Sequence, residues 1–215
     1  MPTLADTHSL SKTIDALQSG GLAIVPTETV YGLAARADRK KAIERIYDLK
    51  GRGFDKPLAL CVENLDMAKI YGHISGLAEE LANAFWPGPL SLVVKAKRPK
   101  NGMKLDARLY AKDKDGNTTI SLRCPQSKWL SATGGLPLAL TSANISGQPD
   151  PLNVQDAAAS LGEGVDAILA GPPCAIGLSS TVMAISGRGA IILRGGSLTP
   201  EDFMPFNIEG RDWDV

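Results

Sequence analysis

Eight short apolar runs constrain the fold of this chain more than any other feature: LAIVP (22–26), LALCV (58–62), LSLVV (90–94), TTISLRC (118–124), PLALT (137–141), VDAIL (165–169), STVMAI (180–185) and AIILR (190–194). Runs of this length, bounded by Gly, Pro and hydroxyl residues, read as strands. Helical spacing lies between them. Leu10, Ile14 and Leu17 share one helical face that ends at Gly20-Gly21, and residues 39 to 49 form a second helix with Ile43, Ile46 and Tyr47 inward. Further helices are expected over 65–71, over 77–86 with a cap near Ser75 and a stop at Pro87-Gly88-Pro89, and over 154–161. TETVYGL reads as a polar turn and residues 95–117 as a long charged connector. STVMAI and AIILR form a hairpin around Ser186-Gly187-Arg188-Gly189, and Thr199-Pro200-Glu201-Asp202 caps a short helix. The strands and helices follow no strict βαβ rhythm, and neither GxGxxG nor GxxxxGK[ST] occurs. The expected class is therefore α/β, a twisted mixed sheet with flanking helices.

Length and 44% apolar content predict a single domain over residues 1–215. The 23 basic residues balance 23 acidic ones, so the molecule as a whole has no general attraction to nucleic acid or anionic lipid and any anion site must be local. Cys61, Cys124 and Cys174 are dispersed, without a CxxC pair, which argues against a disulfide framework or a structural zinc and fits a reducing compartment. With no leader-like start and no apolar run of membrane length, a cytoplasmic protein with no membrane association is expected. Only two histidines, His8 and His73, are present. A histidine-based triad or metal site is disfavoured, and chemistry must rest on alignment and on Lys/Arg electrostatics.

Several polar clusters sit where strand-like runs begin or end: Pro26-Thr27-Glu28-Thr29, Lys50-Gly51-Arg52, Arg123, Ser142-Ala143-Asn144-Ile145-Ser146-Gly147, and Ser179-Ser180-Thr181 with Arg194. Strand ends of a twisted sheet converge on a crevice where ligands bind. Each cluster alone also has a structural reading as a turn, a side-chain-bonded loop or a strand-end cation. KGRGFDK, residues 50–56, is the most pointed: Lys50 and Arg52 suit a helix C-terminus, yet glycines beside a compact charge and a planar fork also suit phosphate oxygens.

Taken together and in this order, PTETVYGL, KGR followed by KPLA, WPGPLSLVV, SLRCP, LTSANISG, and SSTV followed by ILRGG resemble the YrdC-like family of threonylcarbamoyl-AMP synthases, over about residues 10 to 203. The resemblance implies a YrdC-like fold with an electropositive concave cleft. It implies a nucleotidyltransferase reaction of L-threonine, bicarbonate and ATP, giving threonylcarbamoyl-AMP and pyrophosphate. The product would feed a separate tRNA threonylcarbamoyl transferase complex. Mg2+ is expected to arrive with ATP. By motif, Thr27, Arg123 and Ser180 match threonine-binding positions, with Tyr31 and Cys61 assigned to the same pocket. Arg52, Lys56, Thr119, Ser142, Asn144 and Arg194 match positions around ATP, and Lys50 with Arg52 is expected to act on the phosphates and the carbamate.

The chain departs from the family at three places. Cys61 stands where some members carry a threonine-contacting His, Lys56 replaces an Asn, and the connector is several residues longer. That connector holds eight Lys/Arg against two Asp between Lys95 and Lys114. It reads as a solvated loop, with tRNA contact left open. Two other functions stand as alternatives: a related carbamoyl-adenylate-forming enzyme of the hydrogenase-maturation kind, and an RNA-binding module without turnover.

Overall fold

The computed structural model describes residues 7–99 and 103–212. Helices α1 (Thr7–Gln18), α2 (Lys40–Lys50), α3 (Leu65–Tyr71), α4 (Leu77–Phe85) and α5 (Val154–Leu161) accompany eleven strands. These are β1 (Leu22–Val25), β2 (Gly32–Arg36), β3 (Ala59–Cys61), β4 (Leu90–Lys95), β5 (Tyr110–Lys112), β6 (Thr118–Arg123), β7 (Leu138–Ser142), β8 (Ala167–Ile168), β9 (Thr181–Ser186), β10 (Gly189–Arg194) and β11 (Glu209–Asp212). They form one mixed sheet in the order β11-β10-β9-β4-β6-β3-β7-β2-β1-β8, with β5 added beside β6. All eight expected strands are present, and the C-terminal hairpin turns at Gly187-Arg188 between Ser186 and its register partner Gly189.

Three strands are new. The end of the supposed polar turn TETVYGL enters β2, because Gly32 lets the strand lie against Leu140 of β7, where a Cβ would sit 2.7 Å from the Leu140 side chain. Part of the connector is also a strand: Tyr110, Ala111 and Lys112 of β5 pair with Ile120, Thr119 and Thr118 of β6. Strand β11 pairs with β10 beyond the last run singled out in the sequence. Lys100, part of the connector's basic run, lies outside the described residues.

Local chemistry explains the helix ends. Asn64 caps α3 by accepting from the Met67 amide at 2.8 Å, and Asn153 caps α5 by accepting from Asp156 at 2.9 Å. The expected cap of α4 at Ser75 is instead Gly76, which adopts φ 55° and offers no side chain. Thr199 and Asp202 form a reciprocal capping box, but on a 3-10 turn (Pro200–Phe203). At the end of α2, Gly51 adopts φ 58°, ψ 38°, and the amides of Gly51 and Arg52 bond back to Asp48 and Tyr47. A left-handed glycine there ends the helix and turns the chain toward the sheet.

Strand β6 shows how the two faces differ. Ile120 and Leu122 point into a core shared with Leu92 and Val94 of β4, Ile43, Ile46 and Tyr47 of α2, Tyr71 of α3 and Leu81 of α4. Thr119, Ser121 and Arg123 alternate with them and point the other way. On that second face a smaller core of Leu17, Val25, Ala34, Trp129, Leu138 and Leu140 covers only the β1–β2–β7 end. The rest is left concave and open.

This division can be tested with neighbouring substitutions. Leu122→Ala, in a side chain with no exposed area, is expected to cost about 2–5 kcal/mol in denaturant unfolding. Ser121→Ala, on the open face, is expected to stay within about 0.5 kcal/mol of the parent.

Candidate active site

The open face holds a cavity of about 1120 Å³, just above the ~300–1,000 Å³ usual for small-molecule sites. Its floor is set by strand register. Ser91 of β4 lies opposite Arg123 and beside Val182 of β9, and Val93 lies opposite Ser121 and beside Ala184. Six cations (Arg52, Lys112, Lys114, Arg123, Arg188, Arg194) and two carboxylates (Asp113, Asp115) line the walls of this neutral chain.

At one end, Arg123 Nη2 donates to Glu28 Oε1 at 2.9 Å and to Thr29 Oγ1 at 2.6 Å. Both members of this ion pair have side chains only 8% exposed. Arg123 Nε is buried with no hydrogen-bond partner among the described residues. Thr27 Oγ1 donates to the Val30 carbonyl at 2.6 Å and lies 2.9 Å from Thr29 Oγ1, so the PTET turn is tied through its hydroxyls to the arginine. Ser180 Oγ lies 3.0 Å from Ser91 Oγ and accepts from Arg194 Nη2 at 3.1 Å, while the same nitrogen reaches the Ser180 carbonyl at 2.7 Å. Burial in the cleft lowers the Arg194 pKa; Asp150 opposes this, and Arg123 and Arg52 lower it further. Arg194 thus feels both of the other arginines across the cavity. Arg52 braces its own turn, with Nε donating to the Lys56 carbonyl at 2.9 Å and Nη2 to the Pro57 carbonyl at 3.0 Å.

Of the residues singled out in the sequence, Thr27, Arg52, Thr119, Arg123, Ser142, Ser180 and Arg194 share this cavity. Five others do not line it, and each has a physical reason. Lys50 was expected on the phosphates, but its ammonium is buried and donates to the Ser142 carbonyl, to the Asn144 carbonyl at 2.5 Å and to Asn144 Oδ1 at 3.3 Å. Burial pulls its pKa down to about 8, with Arg52 adding to the shift and Asp150 opposing it. Asn144 is spent in the same network, accepting from Ser142 Oγ at 2.6 Å and donating to the Gln148 carbonyl at 2.6 Å. Tyr31 is fully buried, with its hydroxyl donating to the Gly171 carbonyl at 2.8 Å and accepting from the Gly171 amide at 3.0 Å. Cys61 pairs in register with Arg123 but lies in the smaller core with no exposed area, and burial pushes its thiol pKa up. Lys56 is exposed outside the cavity wall and contributes its carbonyl to Arg52.

Other positions that sequence reasoning did not assign do belong here. Ser91 and Ser121 follow from strand register, which no single run displays. Glu28 and Thr29 were legible as part of PTET, but their engagement of Arg123 depends on a contact between residues 94 and 95 positions apart. The connector is also not simply a solvated loop. Residues 111–115 line the cavity, Lys112 Nζ is held by the Gly116 carbonyl and Thr118 Oγ1, and Asp113 gathers the amides of Asp115 and Asn117.

Comparison with known proteins places this site in context. Threonylcarbamoyl-AMP synthase of Bacillus subtilis is 34% identical over 189 residues, covering 86% of this chain and 52% of the relative. A putative threonylcarbamoyl-AMP synthase of Methanocaldococcus jannaschii is 32% identical, covering 83% of this chain and 81% of the relative. The crystal structure of Pyrococcus abyssi Sua5 complexed with L-threonine superposes with a TM-score of 0.81 at 30% identity, covering 96% of this chain and 62% of that one. The chain thus spans about half the length of the Bacillus relative, and of the Pyrococcus abyssi threonylcarbamoyl-AMP synthase, which it matches at 34% identity. A family model described as "Telomere recombination", that of the Sua5/YciO/YrdC proteins, matches residues 15–196, and the chain belongs to this family.

Proposed function

We propose that this chain is a threonylcarbamoyl-AMP synthase, joining L-threonine, bicarbonate and ATP into threonylcarbamoyl-AMP and pyrophosphate, with the product passed to a tRNA-modifying transferase complex. The observation that carries this reading is the buried Arg123 with an unpartnered Nε at one end of a cavity whose walls also bear Arg52 and Arg194. An unsatisfied guanidinium edge in a buried site calls for an anionic ligand, and a carboxylate matches its fork. The names of the relatives fit this chemistry.

In this reading Arg123 takes the threonine carboxylate, and Thr27 and Ser180 supply hydroxyls near the substrate side chain. Threonine's amine combines with bicarbonate to give a carbamate and water. A carbamate oxygen then attacks the α-phosphorus of ATP, and pyrophosphate leaves. Two anions must meet, so the chain's task is to neutralise and align them. In the same reading Arg52 and Arg194 meet the phosphates, with Ser142 and Thr119 as hydroxyl contacts, and support for it is that all four line the cavity. Mg2+ enters as the counter-ion of the triphosphate. Among the described residues no group of three or more His, Cys, Asp or Glu side chains is placed to hold a metal ion. Lys50 acts one step back. Its ammonium gathers the Ser142 and Asn144 carbonyls and so fixes the strand end that presents Ser142. No described helix is long and apolar enough to cross a membrane.

Direct assay of pyrophosphate and adenylate formation tests the proposal, and threonine dependence is its sharpest arm. Valine, lacking the hydroxyl, should be turned over about 10²-fold less efficiently, because it cannot make the hydrogen bonds that threonine's hydroxyl would exchange with Thr27 and Ser180. Equal turnover of valine and threonine would refute the pocket assignment. Arg52→Ala should lower turnover about 10²–10³-fold with little change in melting temperature, and Arg52→Lys should restore it only in part, since a point charge lacks the planar fork. Lys50 gives a stability signature. Its proton is lost near pH 8 in the folded chain against an ordinary value of 10.5, so the unfolded chain holds more protons between these values. Its contribution is fully present above pH 10.5 and is lost as pH falls through 8. Denaturation at pH 7.5 and 9.5 should show a rise in stability with pH that Lys50→Met abolishes.

A further inference from the structure

The buried pair of Arg123 and Glu28 raises a question that the assignment of Arg123 to a carboxylate leaves open. Glu28 is bound on every side. Its Oε1 accepts from Arg123 Nη2 at 2.9 Å, its Oε2 from the Gln126 amide at 3.0 Å, and its carbonyl from the Ile176 amide at 2.9 Å. The pair carries no net charge, and the remaining contact on the same guanidinium nitrogen, Thr29 Oγ1, is neutral. Arg123 Nε is buried without a partner among the described residues.

We propose that Glu28 is a specificity-determining residue that makes the Arg123 pocket select zwitterionic α-amino acids over simple carboxylates. The inference rests on the reading of Arg123 as the carboxylate contact. A bare guanidinium would welcome any carboxylate, because anion and cation would neutralise each other. With Glu28 already neutralising Arg123, a simple carboxylate brings an uncompensated negative charge into a desolvated site and is repelled by a second carboxylate sharing the same arginine. An amino acid brings its own ammonium, so ligand and pocket are both neutral overall. The preference is thus achieved by penalising the wrong ligand. Glu28 is also a positioning residue, since its two oxygens link the β1–β2 turn to the end of β6 and hold the guanidinium in one orientation.

The selective role and the merely structural one predict different outcomes. L-threonine and (R)-3-hydroxybutyrate, which is threonine without its amino group, are compared by calorimetric binding to the parent and to Glu28→Gln, with and without a non-hydrolysable ATP analogue. Arg52 and Arg194 favour the anion over the zwitterion in parent and variant alike, so their field drops out of the change in the ratio that Glu28→Gln produces. The parent should prefer threonine by about tenfold or more, equivalent to about 1.4 kcal/mol. In Glu28→Gln, threonine should bind more weakly and 3-hydroxybutyrate more tightly, shifting the ratio by a similar factor. If both affinities fall together, Glu28 is only a brace and the proposal is overturned. Should Glu28→Gln fail to fold, the parent decides alone: equal affinity for the two ligands overturns the selectivity, and preference for threonine supports it. Absence of any threonine binding to the parent would bring down the carboxylate assignment itself and this inference with it.

Discussion

The alternation along β6 is the constraint on which the rest depends. A strand sends successive side chains to opposite faces, and here one set, Ile120 and Leu122, closes the main core while the other, Thr119, Ser121 and Arg123, faces the cavity. A slip of one residue would bury Arg123 among leucines and expose the core. The register is therefore fixed by burial of the apolar set, and the site inherits its geometry from the hydrophobic effect. Strand β4 repeats the pattern, with Leu92 and Val94 inward and Ser91 and Val93 toward the cavity.

This explains what could be read from the sequence. Apolar runs announce strands, and all eight are present, because each is defined by its own local pattern. β2 escaped because GLAAR is short, rich in alanine and glycine, and stabilised by neighbours on both sides rather than by its own propensity. β5 escaped because its Tyr-Ala-Lys owes its extension to pairing with β6. In the site, residues at strand ends such as Arg123, Ser180 and Arg194 were legible as parts of motifs. Whether a motif residue faces ligand or its own fold was not, since that depends on which partner lies across the sheet. Lys50 and Tyr31 have such partners at Ser142 and Gly171, 92 and 140 positions away, and both are spent inside the protein.

The division of labour between Lys50 and the arginines follows from their chemistry. Lysine loses its proton readily when desolvated, and burial together with Arg52 brings Lys50 down to about 8. Used on carbonyl oxygens, Lys50 still donates when neutral and keeps the SANISG loop in place. Arginine keeps its charge under the same burial, since its ordinary value lies so far above neutral that a lowered one still leaves it protonated. Crowding Arg52, Arg123 and Arg194 around one cavity raises mutual repulsion, which Glu28 offsets by a direct ion pair at Arg123 and Asp150 offsets at Arg194 without one. Arg52 and Arg194 rest on carbonyls and a hydroxyl, partners that orient a guanidinium without neutralising it. In the proposed reading, the two arginines without a bonded carboxylate stand toward the polyphosphate, and the Arg123–Glu28 pair stands toward the amino acid, which has no net charge of its own.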